Sequence, residues 1–218
     1  LCFFDIETTG FSRKNDIVYL VGLLLKNGNS NYLLKQYLIE SIDEEKKLLE
    51  LLIEDFRYNQ LLINYNGDTF DIPFLNSKYK KHNIDYKIPL DKSFDLYKIV
   101  KENRDLLDLK NTKLKTIEKY LEIYREDNLS GKECIMLFYD YMNNNDLDSK
   151  KLILKHNYDD LYYLPYTLKI LDVIDDKKTI VLPNTNRDID KLILKIKQIE
   201  MDNDIVNVEC EVNSIPIE

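Results

Sequence analysis

Four carboxylates in three separated segments could share one chemical task. Asp5 and Glu7 stand in Phe4-Asp5-Ile6-Glu7-Thr8-Thr9-Gly10, and Asp71 stands in Phe70-Asp71-Ile72-Pro73-Phe74. Asp160 follows four residues after His156, one of 2 histidines in the chain. Acids set among apolar residues are too costly to bury unpaired, so they are commonly matched by a cation. Four oxygen ligands and one neutral imidazole would hold two hard divalent ions and activate a water, the apparatus for cleaving a phosphodiester.

Each segment needs an element to aim it. Leu1-Cys2-Phe3-Phe4 is apolar and aromatic, which suits a buried strand. Residues two apart on a strand share a face, so Asp5 and Glu7 project together, away from Phe4 and Ile6. Thr8-Thr9-Gly10 then turns the chain at the carboxyl end of that strand, where open α/β sheets build their sites. An edge strand with two solvated acids would read the same way. Leu61 to Tyr65 forms a second apolar run, Asn66-Gly67 a turn, and the spacing predicts a helix over 70–81 with Asp71 and Pro73 in its first turn. A helix-start acid with no ligand role fits that segment equally well. Leu147 to Leu171 reads as one long helix, bent at Pro165, with His156 and Asp160 one turn apart on one face. That histidine could take a proton from an attacking water, although such pairs are also ordinary on helix surfaces. Asp159 points roughly a hundred degrees away, which makes Asp160 the candidate.

Together the three segments resemble the DEDD 3′–5′ exonucleases of the ribonuclease-H-like superfamily. Residues 4–10 are similar to that family's first motif, Asn66 with Phe70-Asp71 to the second, and His156-Asn157 with Asp160 to the third. Leu114-Lys115-Thr116-Ile117-Glu118 and Ser130-Gly131-Lys132-Glu133 resemble the YprB-type branch, and the likeness spans about 1–172. The resemblance implies a mixed central sheet flanked by helices, loaded with two Mg²⁺ or Mn²⁺ ions. It implies Asp5 bridging both ions and Glu7 holding one while orienting the water. Asp160 would sit on the nucleophile side, Asp71 would hold the second ion, and His156 would be the general base. The gap from His156 to Asp160 is four positions, where the histidine subclass usually has five. Tyr158 is two positions from Asp160 and does not share its face. Thr8, Asn66, Phe70 and Lys115 are candidate substrate contacts on the same motifs.

The resemblance implies a metal-dependent 3′–5′ exonuclease acting on single-stranded or frayed ends, with DNA ahead of RNA. An RNA-processing or oligonucleotide nuclease and a catalytically inactive nucleic-acid-binding module stand as alternatives. The formal net charge is −8, from 31 basic and 39 acidic residues, which suits a small phosphate footprint better than a tight duplex grip. Two basic clusters could supply that footprint: Lys78, Lys80 and Lys81 with His82, and Lys110, Lys113 and Lys115. Solvated helix faces would look alike. The 3 cysteines show no paired spacing, against a zinc module and in favour of reduced thiols in a cytoplasmic protein. No stretch reaches transmembrane length, so no membrane is expected as partner. The chain starts at Leu1 already inside an apolar strand, the expected mark of a trimmed sequence.

The remaining elements must carry the sheet. Strands are expected at 17–26 and 31–39, and a helix at about 42–58 opened by a Ser41/Glu44 capping box. A short strand should end near Asp95, which reads as a helix cap before a fifth site acid. Helices are expected near 96–103, 113–122 and 132–144. Residues 1–176 would form the nuclease domain. Residues 177–218 would form a β-rich extension, with a hairpin of Leu192 to Ile199 and Ile205 to Val212, that packs on the domain or engages a partner or further domain.

Overall fold

The computed structural model describes residues 1–28, 31–59, 61–126, 129–183, 189–202 and 205–216. The chain divides into two compact units. The first comprises Leu1–Glu102 with Asn111–Thr167, and the second Asn103–Lys110 with Leu168–Glu218.

The first unit is built on a five-stranded sheet. Strands β1 (Cys2–Thr8), β2 (Val18–Asn27), β3 (Asn31–Leu38), β4 (Leu62–Asn64) and β5 (Ser93–Asp95) lie in the order β3-β2-β1-β4-β5. β1 to β3 form an antiparallel meander, and β4 and β5 join parallel to β1. The apolar runs of β1 and β2 are buried almost throughout because both strands are interior to the sheet, whereas β3 is half exposed along its length. Helices α1 (Glu45–Tyr58), α2 (Asp71–Lys81), α3 (Leu96–Glu102), α4 (Leu114–Tyr120), α5 (Gly131–Asn144) and α6 (Leu147–Thr167) complete the unit. Phe56 of α1 packs edge-on to Phe4 at 5.5 Å, and α6 reaches Asp5. Neighbouring residues of a strand point to opposite faces, so the sheet is covered on both sides.

Three expectations change in detail. Ser41 makes no side-chain cap, and Glu44 accepts the N–H of Glu40 at 2.8 Å and not that of Ser41, so the expected capping box does not form. The single helix expected from Leu147 to Leu171 ends at Thr167, and α7 (Ile170–Lys178) starts afresh. Pro165 removes one backbone donor and the Thr167 hydroxyl binds the Leu164 carbonyl at 2.6 Å, so the last turn is tied to itself. The C-terminal hairpin is present as β7 (Ile189–Asp202) and β8 (Ile205–Pro216), with β6 (Thr179–Pro183) added antiparallel to β7. Residues 203 and 204, at its turn, lie outside the described residues.

Candidate active site

β1 outruns its parallel neighbour. β4 stops at Asn64 and pairs with β1 only at Cys2 and Phe3, so the far half of β1, with Asp5 and Glu7, has no β4 backbone beside it. Asp71 fills the gap by accepting the Ile6 N–H at 3.1 Å. The turn that brings it there is built from side chains. Asn64 Oδ1 accepts the Gly67 N–H at 2.7 Å, and a Cβ at Gly67 would lie 2.5 Å from the Asn64 side chain, so the turn requires glycine. Asp95, at the end of β5, accepts the N–H groups of Asn66 at 2.7 Å, Asp68 at 3.2 Å and Tyr97 at 3.1 Å. It therefore anchors the turn and starts α3.

α6 supplies the other half. His156 Nε2 lies 3.6 Å from Glu7 Oε1 and 3.5 Å from Asp160 Oδ2, bridging the first and third segments. Asn157, fully buried, donates to Asp5 Oδ2 at 3.0 Å and accepts from Gln36 at 3.0 Å. Gly22 makes room for this contact. It is paired with Asp5 across the sheet, and a Cβ there would lie 2.2 Å from Asn157 Oδ1. Tyr19 closes the back of the site, stacked on Phe138 at 4.2 Å with its hydroxyl 3.4 Å from Glu7 Oε2. Burial pushes the Tyr19 phenol upward, which keeps it a donor to Glu7.

Among the described residues, ligand oxygens of Asp5, Glu7 and Asp160 lie within 4.8 Å of one another. Burial raises the Asp5 carboxyl well above its ordinary range, and the charges of Asp160, Glu7 and Asp71 raise it further. Burial likewise pushes Asp71 up to about 7, against the N–H bond from Ile6. Crowded acids of this kind are relieved by a cation, and an all-oxygen donor set fits a hard divalent ion. A second grouping brings the buried Cys134 thiol within the same distance of Glu7 and His156, a contact that cysteine spacing did not reveal.

A cavity of about 480 Å³ opens over these acids, lined by Asp5, His156 and Asp160 and, from other elements, by Tyr65, Lys113, Lys115 and Arg125. Lys115 donates to the Leu129 carbonyl at 2.8 Å. Arg125 was missed in the sequence: its guanidinium donates to Asp160 Oδ1, and its Nε lies 3.1 Å from Glu118 Oε2.

The other candidates are placed by their bonds. The Thr8 hydroxyl binds the Gly10 carbonyl at 2.7 Å, and Asn66 Oδ1 accepts from Thr69 at 2.6 Å. Phe70 packs between Phe11 at 6.0 Å and Phe74 at 5.5 Å. Tyr158 stacks on Tyr162 at 5.5 Å. Asp159 pairs with Lys155. Of the first basic cluster, Lys78 is fully buried against Glu45 and the Asp16 carbonyl, and His82 binds Glu45 at 2.7 Å. Those two hold the fold together and are not available to phosphates.

A family model of the RNase_H superfamily matches residues 2–202. The chain belongs to this superfamily. Its mixed five-stranded sheet and flanking helices form an RNase H-like fold. A family B DNA polymerase from the archaeon Pyrobaculum calidifontis superposes on 79% of this chain with a TM-score of 0.61 and 14% identity, a likeness of fold. A stretch of 95 residues, 40% of this chain, is 28% identical to a DNA polymerase of Methanocaldococcus jannaschii. The match spans 24% of the first polymerase chain and 6% of the second. A chain of an ExoI/SSB-Ct complex covers 89% of this RNase_H-superfamily chain at 12% identity and a TM-score of 0.45, with 54% of its own length matched. No described helix is long and apolar enough to cross a membrane.

Proposed function

We propose that this chain is a metal-dependent 3′–5′ exonuclease that hydrolyses phosphodiester bonds at single-stranded or frayed ends, with DNA as the leading substrate. The observation that carries the reading is the convergence of Asp5, Glu7 and Asp160 within 4.8 Å, with His156 Nε2 reaching two of them. Divalent cations held by these acids, with Asp71 as a further ligand, would polarise the phosphate and lower the pKa of the attacking water. His156 Nε2, which lies 3.6 Å from Glu7 Oε1 and 3.5 Å from Asp160 Oδ2, would take the proton from that water. Asn157 fixes the Asp5 carboxylate, and Tyr19 fixes that of Glu7. Lys113 and Lys115 meet the phosphates of a single strand at the cavity mouth. The DNA preference draws on the two polymerases whose sequence or fold the chain shares. Cytoplasmic residence is proposed from the 3 cysteines, which show no paired spacing in the sequence.

The deciding experiment incubates a 5′-labelled single-stranded DNA and its RNA twin with Mg²⁺, Mn²⁺ or EDTA. A metal-dependent ladder that shortens from the 3′ end, absent in Asp5→Asn, is the expected result, with DNA degraded faster. Products of internal cleavage would overturn the exonuclease assignment. A stable complex with no cleavage under any metal would mark a binding module.

A further inference from the structure

Between α4 and α5 runs a charged segment whose sequence reads as solvent-facing, yet it sends one side chain inward. Arg125 is only 5% exposed at its side chain, and its partner Glu118 on α4 is 3% exposed. The guanidinium spans two acids with different settings. Nε faces Glu118, which lines none of the catalytic cavity, whereas Nη1 donates to Asp160, which does. The contact is made through Asp160 Oδ1, while Oδ2 lies toward His156 at 3.5 Å.

A buried ion pair is weak evidence of stability, because well-packed apolar residues would often serve the fold as well or better. The placement of this one is therefore informative. Glu118 grips the guanidinium from behind, so Arg125 is held as a fixed cation against the edge of the acid cluster. Asp5, Glu7, Asp71 and Asp160 place four formal negative charges there, and Arg125 offsets one of them without closing the cavity.

We propose that Arg125 is a positioning residue of the nuclease centre, sharing Asp160 with the divalent ion. It takes Oδ1, restricts Asp160 to one oxygen toward the ion, and weakens the ion's hold on the site. A centre of several carboxylates would otherwise bind its cations tightly, and turnover requires the ion-bound product to leave. The proposal rests on the nuclease reading above, and its test reads binding rather than cleavage.

The test is calorimetric titration of Mn²⁺ into the full chain and into R125Q, R125K and the double variant E118Q/R125Q, at one pH and ionic strength. The double variant removes both buried charges and so remains informative if R125Q alone fails to fold; melting in EDTA checks each. The expected result is Mn²⁺ binding roughly tenfold tighter in R125Q and in the double variant, the scale of one neighbouring unit charge. R125K should return most of the way to the parent affinity. A merely structural role gives the opposite sign, since a disordered Asp160 binds the ion less well. Parent-like or weaker Mn²⁺ binding in both charge-removing variants overturns the role of Arg125 while leaving the metal site intact. Absence of Mn²⁺ uptake in the parent and every variant overturns the metal-dependent nuclease reading together with it.

Discussion

Two buried charge clusters in the first unit use the same residue types to opposite ends. Around Glu45, each carboxylate oxygen meets a donor: Oε1 takes the Val18 N–H at 2.9 Å with Lys78 3.7 Å away, and Oε2 takes His82 at 2.7 Å. Around Asp5 the acids face one another, and the Asp5 carboxyl is driven up by burial and by repulsion from its acidic neighbours. The first cluster is closed and matched; the second is open and overcharged. Burial of charge alone therefore says little about function in this molecule, whereas an unbalanced sign within reach of a cavity says a good deal.

The sharpest way to break that contrast is to neutralise one acid on each side. Asp5→Asn or Asp160→Asn should abolish cleavage, and in Asp5→Asn the metal-free protein should melt no lower than the parent, because repulsion is relieved. A large drop in melting temperature would show that the open cluster supports the fold after all. His156→Ala should slow single-turnover cleavage by roughly two to four orders of magnitude, the usual range for a general base. An unchanged rate would hand the proton to another group. Glu45→Ala should behave in reverse. It strands the fully buried Lys78 and should lower stability to urea by about 3–5 kcal/mol, leaving the specific activity of the folded fraction unchanged.

A subtler comparison uses pH. Asp71 titrates near 7 in the folded chain against 3.8 for a free aspartate. Between those values the native state keeps a proton that the unfolded chain has released, so metal-free stability should fall as pH rises from about 4 to 7. Asp5, also raised, adds to the same slope. Saturating Mg²⁺ should flatten it by replacing the protons, which urea midpoints at pH 5 and 8 with Mg²⁺ or EDTA would reveal. A slope unaffected by Mg²⁺ would detach these acids from the metal. Smallest of all, Lys113→Ala should raise KM a fewfold and lessen its salt dependence, with kcat nearly constant.

The sequence exposed the strands and helices whose side chains repeat with a regular period, and the three acidic segments that ride on their ends. It did not expose what depends on distant contact. Gly22 looks like a weak point in an apolar strand until Asn157 is seen to occupy the space above it. Glu118 and Arg125 sit among charged neighbours that imply solvent, and only the packing of α4 beside α6 turns them inward. Lys78 was misleading in the other direction, because a lysine between Ser77 and Tyr79 on an amphipathic helix gives no local sign of the carboxylate waiting 33 positions upstream.

The bond between Asn157 and Asp5 joins residues separated by 152 positions. Contacts that distant form late, after most of the chain entropy has been surrendered. A ribosome-bound or nicked chain that has not yet brought α6 onto β1 therefore owns the acids of one half and the imidazole of the other without a working centre. Under the proposed function, hydrolytic competence arrives only with the completed fold.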